Sequence, residues 1–168
     1  MRISLARSAG FTLIELVLAV GITGILIALV VSAYRTHSVR MQVAAGIETA
    51  VHWEPAVEHA FRAAGQVPAN TPEIGPIPNG GFLGNHVESI DVVDGRLDIT
   101  YGKDASPAIL GRRLSLTPYE TASREILWLC GNAVPGLGLK PLGFADGGRQ
   151  STQASATVEA RYLPAKCR

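Results

Sequence analysis

Between Phe11 and Ala33 lies a run of 23 residues with a single charge, Glu15, and polar breaks only at Thr12, Thr23 and Ser32. No other feature constrains the fold as strongly. A helix rising about 1.5 Å per residue crosses the ~30 Å hydrocarbon core of a bilayer in roughly 20 residues. The run is rich in Leu, Ile, Val and Ala and has no proline, so helix is the state in which its backbone satisfies itself in lipid. The residues before it, Met1 to Gly10, carry Arg2 and Arg7 and no acid. An ordinary secretory signal places its apolar stretch ahead of the cleavage site and loses it. A cut ahead of the stretch, as this leader suggests, keeps it in the mature protein. On the segment alone, a simple signal anchor is the commoner explanation. Glu15 bears on the choice, because a carboxylate at the centre of an apolar helix costs about 2.5–3.5 kcal/mol and less near an end. It either snorkels to the interface or meets a partner.

The chain has 168 residues, enough for one compact unit. It has 15 basic and 14 acidic side chains; losing Arg2 and Arg7 with the leader leaves 13 against 14, a formal net charge of −1. That balance, without a dense Lys/Arg run, does not indicate DNA binding.

Past the apolar run the helical pattern continues. From Tyr34 to about Ala64, Val39, Val43, Ile47, Ala50, Val51, Val57 and Phe61 recur at spacings of mostly three and four, the stripe of an amphipathic helix on a sheet. Pro55 has no N–H and crowds the carbonyl of Val51, so a kink or break is expected near Val51–Pro55. The helix is expected to stop at Gly65, with Pro68 beyond it. Pro68 to Gly84, punctuated by proline and glycine, reads as loop. Strand grammar begins after Asn85. Val87 to Thr100 reads as two strands joined at Asp94-Gly95, with Leu97, Ile99 and Tyr101 sharing a face of the second. Gly111 to Pro118, with Leu114 and Leu116 inward, and Glu125 to Cys130 supply two more. Four antiparallel strands with one apolar face need a cover, which the amphipathic helix provides. The fold class is therefore α+β: a long N-terminal helix, membrane-spanning in its first half and amphipathic in its second, packed on a four-stranded antiparallel sheet.

No enzyme emerges from the remaining residues. His37, His52, His59 and His86 have no ligand spacing, Glu54 and Glu58 read as a solvated face, and no nucleophile motif is present. The glycines of the Pro68–Gly84 loop lack the spacing of a phosphate cradle. Neither a cofactor nor a metal is called for.

The junction Gly10-Phe11-Thr12-Leu13-Ile14-Glu15, with the apolar run behind it, resembles the class III leader and N-terminus of a type IV prepilin. The likeness continues through Val87-Glu88-Ser89-Ile90, Asp98-Ile99-Thr100-Tyr101-Gly102, Leu114-Ser115-Leu116-Thr117-Pro118, Trp128-Leu129-Cys130 and Leu163-Pro164-Ala165-Lys166-Cys167-Arg168, which are similar to type IVa pilins, major subunits above all. The N-terminal motif belongs to a wider superfamily that includes type II secretion pseudopilins, and the C-terminal pair narrows it toward pilins. The resemblance implies a leader, 1–10, cut by a prepilin peptidase between Gly10 and Phe11, with N-methylation of Phe11 by the same enzyme. It implies a filament-core helix, 11–33, and a head, 34–168, with an αβ-loop at about 65–86. In the family, the carboxylate corresponding to Glu15 meets the N-terminal amine of a neighbouring subunit's first residue, here Phe11, and helps set axial register. Gly24 matches a family glycine. Together with a proline where this chain has Ser32, that glycine is associated with a helix segment that melts in the filament, so the same melting is not implied here.

The resemblance also makes Cys130 and Cys167 the boundaries of a disulfide-closed D-region, 130–167. Compartment chemistry agrees, since an isolated cysteine pair exported to an oxidising space is bridged more often than free. A metal site needs more ligands, and redox pairs lie closer in sequence. The implied function is structural: a subunit that polymerises through its N-terminal helix into a type IV pilus for surface adhesion and twitching motility, and in some members of the family DNA uptake. Its partners are further copies of the pilin, the peptidase and an inner-membrane assembly platform. It resides in the inner membrane before assembly and in an extracellular filament after it. A minor pilin, a pseudopilin and a signal-anchored periplasmic enzyme are the alternatives.

Overall fold

The computed structural model describes residues 11–77 and 81–168 and divides into two compact units, Met1–Thr36 and His37–Arg168. The expected leader and its last residue, Gly10, lie outside the described residues. Helix α1 (Leu13–Val51) starts in the first unit and runs into the second. In the first unit every described side chain from Phe11 to Val31 is exposed, including Leu16, Ile22, Ile25 and Leu29. By length and composition this stretch suffices to cross a membrane.

In the second unit α1 buries Val39, Val43, Ile47 and Ala50, the stripe expected from their spacing. The helix breaks where Pro55 predicts. Two short-range bonds, His52 N–H to the Thr49 carbonyl at 3.3 Å and Trp53 N–H to the Ala50 carbonyl at 2.9 Å, tighten its end. Helix α2 (Glu54–Ala64) then begins with Pro55 in its first turn, where a missing N–H costs nothing. The break shifts the helical phase, so Val51, assigned to the apolar stripe, is exposed and Trp53 is buried in its place. Gly65 ends α2 with φ 68°, its N–H bonded to the Phe61 carbonyl at 2.8 Å. The loop that follows holds a 3-10 turn, Thr71–Ile74, with Ile74 buried.

The antiparallel sheet comprises β1 (Val87–Val93), β2 (Arg96–Tyr101), β3 (Arg113–Glu120) and β4 (Ile126–Cys130) in that order, joined by a two-residue strand, β5 (Lys140–Pro141), that also pairs with β3. The tight turn between β1 and β2 has Asp94 at φ 47° and Gly95 at φ 74°, the pair of left-handed residues that such a hairpin requires. A bulge between Val87 and Ser89 puts Val87, Ile90 and Val92 on the buried side together, which strict alternation cannot do. β3 continues past Pro118 to Glu120, two residues beyond the expected end. Pro118 is tolerated because of where its missing N–H falls. β2 pairs with β3 as far as Leu116 and β5 only from Tyr119, so the gap between them needs no donor from Pro118. Its carbonyl takes the Leu142 N–H and the Ser151 hydroxyl instead.

One face of the sheet, with Leu97, Ile99, Tyr101, Leu114 and Leu116, joins the α1 stripe in a single core. Tyr101 donates its hydroxyl to the Val43 carbonyl at 2.9 Å and lies against Gly46, where a Cβ would sit 2.5 Å from the ring. Gly46→Ala is therefore expected to destabilise the second unit by at least about 2 kcal/mol in urea unfolding, since a fully buried ring must move. The other face, with Asp98, Ser115 and Thr117, is buried as well, under the chain that follows Cys130.

Candidate assembly surface

The N-terminal end of α1 holds the expected assembly residues. Phe11 is exposed and precedes the helix. Thr12 occupies the cap position. Its N–H donates to Glu15 Oε2 at 3.0 Å, its hydroxyl donates to the same oxygen at 2.8 Å, and the Glu15 N–H returns a bond to Thr12 Oγ1 at 3.4 Å. This is a reciprocal capping box, which satisfies helix-end donors and holds the carboxylate against the first turn. The Thr-x-x-Glu spacing that signals it is plain in the sequence. Gly24 lies on the same helix, and a Cβ built on it or on Gly21 meets nothing within 4 Å. Among the described residues nothing requires glycine at either place.

At the other end of the chain Cys130 and Cys167 form a disulfide, with Cα atoms 4.6 Å apart and both residues buried. The segment it closes is pinned at intervals. Gly131 N–H bonds the Ser115 carbonyl at 2.8 Å and Asn132 N–H bonds the Cys167 carbonyl at 3.1 Å. Gln153 spans from the Tyr119 hydroxyl to the carbonyls of Gly131 and Ala133. Thr157 pairs with the backbone of Arg113, and Val158 and Leu163 enter the core. The disulfide and these bonds together hold this aperiodic stretch against the sheet.

Beside the disulfide, Ile47, Val51, Glu54, Trp128 and Lys166 line a cavity of about 180 Å³. Burial, with a smaller contribution from the Glu58 carboxylate, pushes Glu54 up to about 7 against the opposing pull of Lys166. Glu58 itself accepts the Trp128 indole N–H and pairs with Arg62. The folded chain thus keeps a proton on Glu54 that the unfolded chain releases near the ordinary value of 4.5, so stability falls as pH rises from about 4.5 to 7. Glu54→Gln is expected to remove that decline and to raise stability at pH 8 by about 1 kcal/mol, discounted for solvent exposure. Unfolding midpoints measured across that range check it.

Among the described residues the histidines are not gathered into a site. His37, His52 and His59 are exposed, and His86 Nδ1 lies 3.2 Å from the Asp104 carbonyl. Among the described residues no cluster of His, Cys, Asp or Glu has the makings of a metal centre.

Comparison with known proteins points the same way as this geometry. Residues 39–168 match the family model for pilin, a bacterial filament protein, and residues 5–31 match the prokaryotic N-terminal methylation motif. The chain is 29% identical over 161 residues to a fimbrial protein of Neisseria meningitidis serogroup A, covering 95% of this chain and 93% of that one. It is 30% identical over 164 residues to a type IV major pilin protein PilE1 of Neisseria gonorrhoeae, covering 95% and 93%. It is 26% identical over 162 residues to the fimbrial protein EcpC of Eikenella corrodens, covering 95% and 90%. The pilin model matches most of the chain and relatives named as type IV major pilins match nearly all of it, so the chain belongs to the type IV pilin family.

Proposed function

We propose that this chain is a pilus subunit that is cut between Gly10 and Phe11, methylated on Phe11, and polymerised through the helix 11–33, with 34–168 as its head. The observation that carries this is the unbroken exposure of apolar side chains from Phe11 to Val31, which none of the described residues covers. In water such a surface is untenable, so it is held first by a bilayer and then by other copies of itself. Moving from lipid to a helical bundle gains little hydrophobic energy, because both surroundings are apolar. Packing and polar pairs must decide between them. Glu15 is the one ionisable group within the run, and its pairing with the amine of a neighbouring Phe11 supplies both charge compensation and axial register. The partners are further copies, a prepilin peptidase that also methylates, and an inner-membrane platform. Surface attachment and twitching motility are the uses that fit the major-subunit relatives, and the net charge gives DNA uptake no particular support.

Glu15→Gln tests the reading. A glutamine keeps the size and the acceptor that caps the helix, and it loses the charge. The variant is expected to insert, to be processed at Gly10–Phe11, and to accumulate in the membrane without filaments. Normal amounts of sheared filament would refute the role of Glu15. Intact mass of the wild-type filament subunit checks the rest: it must start at N-methylated Phe11.

A further inference from the structure

The capping box has an asymmetry that bears on assembly. Both donors from Thr12 end on the same oxygen of Glu15, Oε2. Among the described residues Oε1 receives no hydrogen bond. The carboxylate is thus anchored by one oxygen and open by the other, at the first turn of a helix whose neighbouring side chains are all exposed. A free glutamate at this position would sample several rotamers and, in lipid, bend toward the headgroups. Two hydrogen bonds to one oxygen forbid that and leave Oε1 in a fixed direction.

We propose that Thr12 is a positioning residue for assembly: it ties Glu15 Oε2 to its own helix so that Oε1 is presented to a cationic group of a second copy. The inference rests on the reading of Glu15 as the docking carboxylate and adds to it the residue that aims the charge. It also resolves a conflict in that reading. A carboxylate that caps a helix is not thereby spent, because it has about four lone-pair sites and the cap uses one oxygen. Capping and docking are then compatible, and the ordering of the side chain is completed before the neighbour arrives.

Three substitutions at Thr12 test this in the full-length protein. Thr12→Ser keeps the hydroxyl. Thr12→Val has the same shape without it. Thr12→Asp still caps the helix by accepting the Glu15 N–H, and it puts a repelling carboxylate where the donor was. Filament yield is counted per mature, membrane-inserted subunit, with the N-terminus read by mass, so that slower processing of a variant does not enter the count. Thr12→Ser is expected to assemble like wild type, and Thr12→Val and Thr12→Asp to lose filaments at least about tenfold, the effect of removing a hydrogen bond to a charged group. If Thr12→Asp assembles normally, the hydroxyl matters only as a cap and the proposal is overturned. If Thr12→Val assembles normally while Glu15→Gln does not, Glu15 docks without help from Thr12; the proposal again fails and the reading of Glu15 stands. Normal assembly of Glu15→Gln removes both.

Discussion

Cys130→Ser is expected to lower the stability of the second unit by about 4 kcal/mol, and the loss should be matched by reduction of the wild-type disulfide. The bridge joins residues separated by 37 positions, and the chain-entropy model assigns about 4 kcal/mol to closing a loop of that length. Small domains have total stabilities of about 5–15 kcal/mol, so a loss on this scale leaves a substantial unfolded fraction at growth temperature. The consequence is localised by what the bridge holds. Cys167 is fully buried, its carbonyl accepts the Asn132 N–H, and Val158 and Leu163 reach the core between the two cysteines. Without the crosslink the turn at Ala165–Cys167 keeps its own short-range bond and the bond from Asn132, and it frays first. Urea unfolding of the variant, of the Cys130→Ser/Cys167→Ser double variant and of reduced wild type should give the same midpoint. Limited proteolysis should cut first between Gly131 and Lys166, and cells should carry little pilin. A loss below about 1 kcal/mol would show instead that the hydrogen bonds of Gln153 and Thr157 hold the segment unaided.

Much of this architecture is legible from residue spacing, because the dominant forces there are periodic. The Val39, Val43, Ile47, Ala50 stripe, the stop at Gly65 and the Asp94-Gly95 turn each follow from a local rule that nothing tertiary contradicts. The reading weakens where a rule meets a neighbour. Val51 keeps the spacing of the stripe, but the break at Pro55 rotates the phase and Trp53 takes the buried place. Val87 lies on the opposite face from Ile90 and Val92 by alternation, and only a bulge unites them; a strand whose apolar residues cannot share a face under strict alternation is itself the signal for one. Asp98, Ser115 and Thr117 look like a solvent face by composition. They are buried because an aperiodic segment covers them, and no periodicity announces aperiodic cover. At the assembly surface, Glu15 is conspicuous as a charge in an apolar run. Thr12 is inconspicuous beside it, because a charge in an apolar run reads as a burial cost before it reads as the last member of a Thr-x-x-Glu cap.

The covered face is also where the second large effect is expected. Asp98 is 4% exposed and accepts three hydrogen bonds: Arg96 Nε at 2.9 Å and Nη2 at 3.3 Å, and the Ser115 hydroxyl at 2.7 Å. The same arginine extends Nη1 to the Thr152 hydroxyl at 2.8 Å, so one guanidinium neutralises a buried carboxylate and fastens the C-terminal cover over it. Arg96→Ala removes both services and strands the charge of Asp98 with a single neutral partner. Breaking a buried pair in this way costs about 3–5 kcal/mol, whereas replacing both members by apolar residues is often close to neutral. Urea unfolding of the full chain in detergent should therefore show Arg96→Ala far more damaging than the Arg96→Met/Asp98→Leu double variant. Arg96→Lys should fall between them and wild type, since an ammonium supplies the charge without the planar fork that serves Asp98 and Thr152 together. The order of the three carries the argument. If the double variant loses as much as Arg96→Ala, the damage comes from lost packing and the loosened cover, and the stranded charge is not its cause.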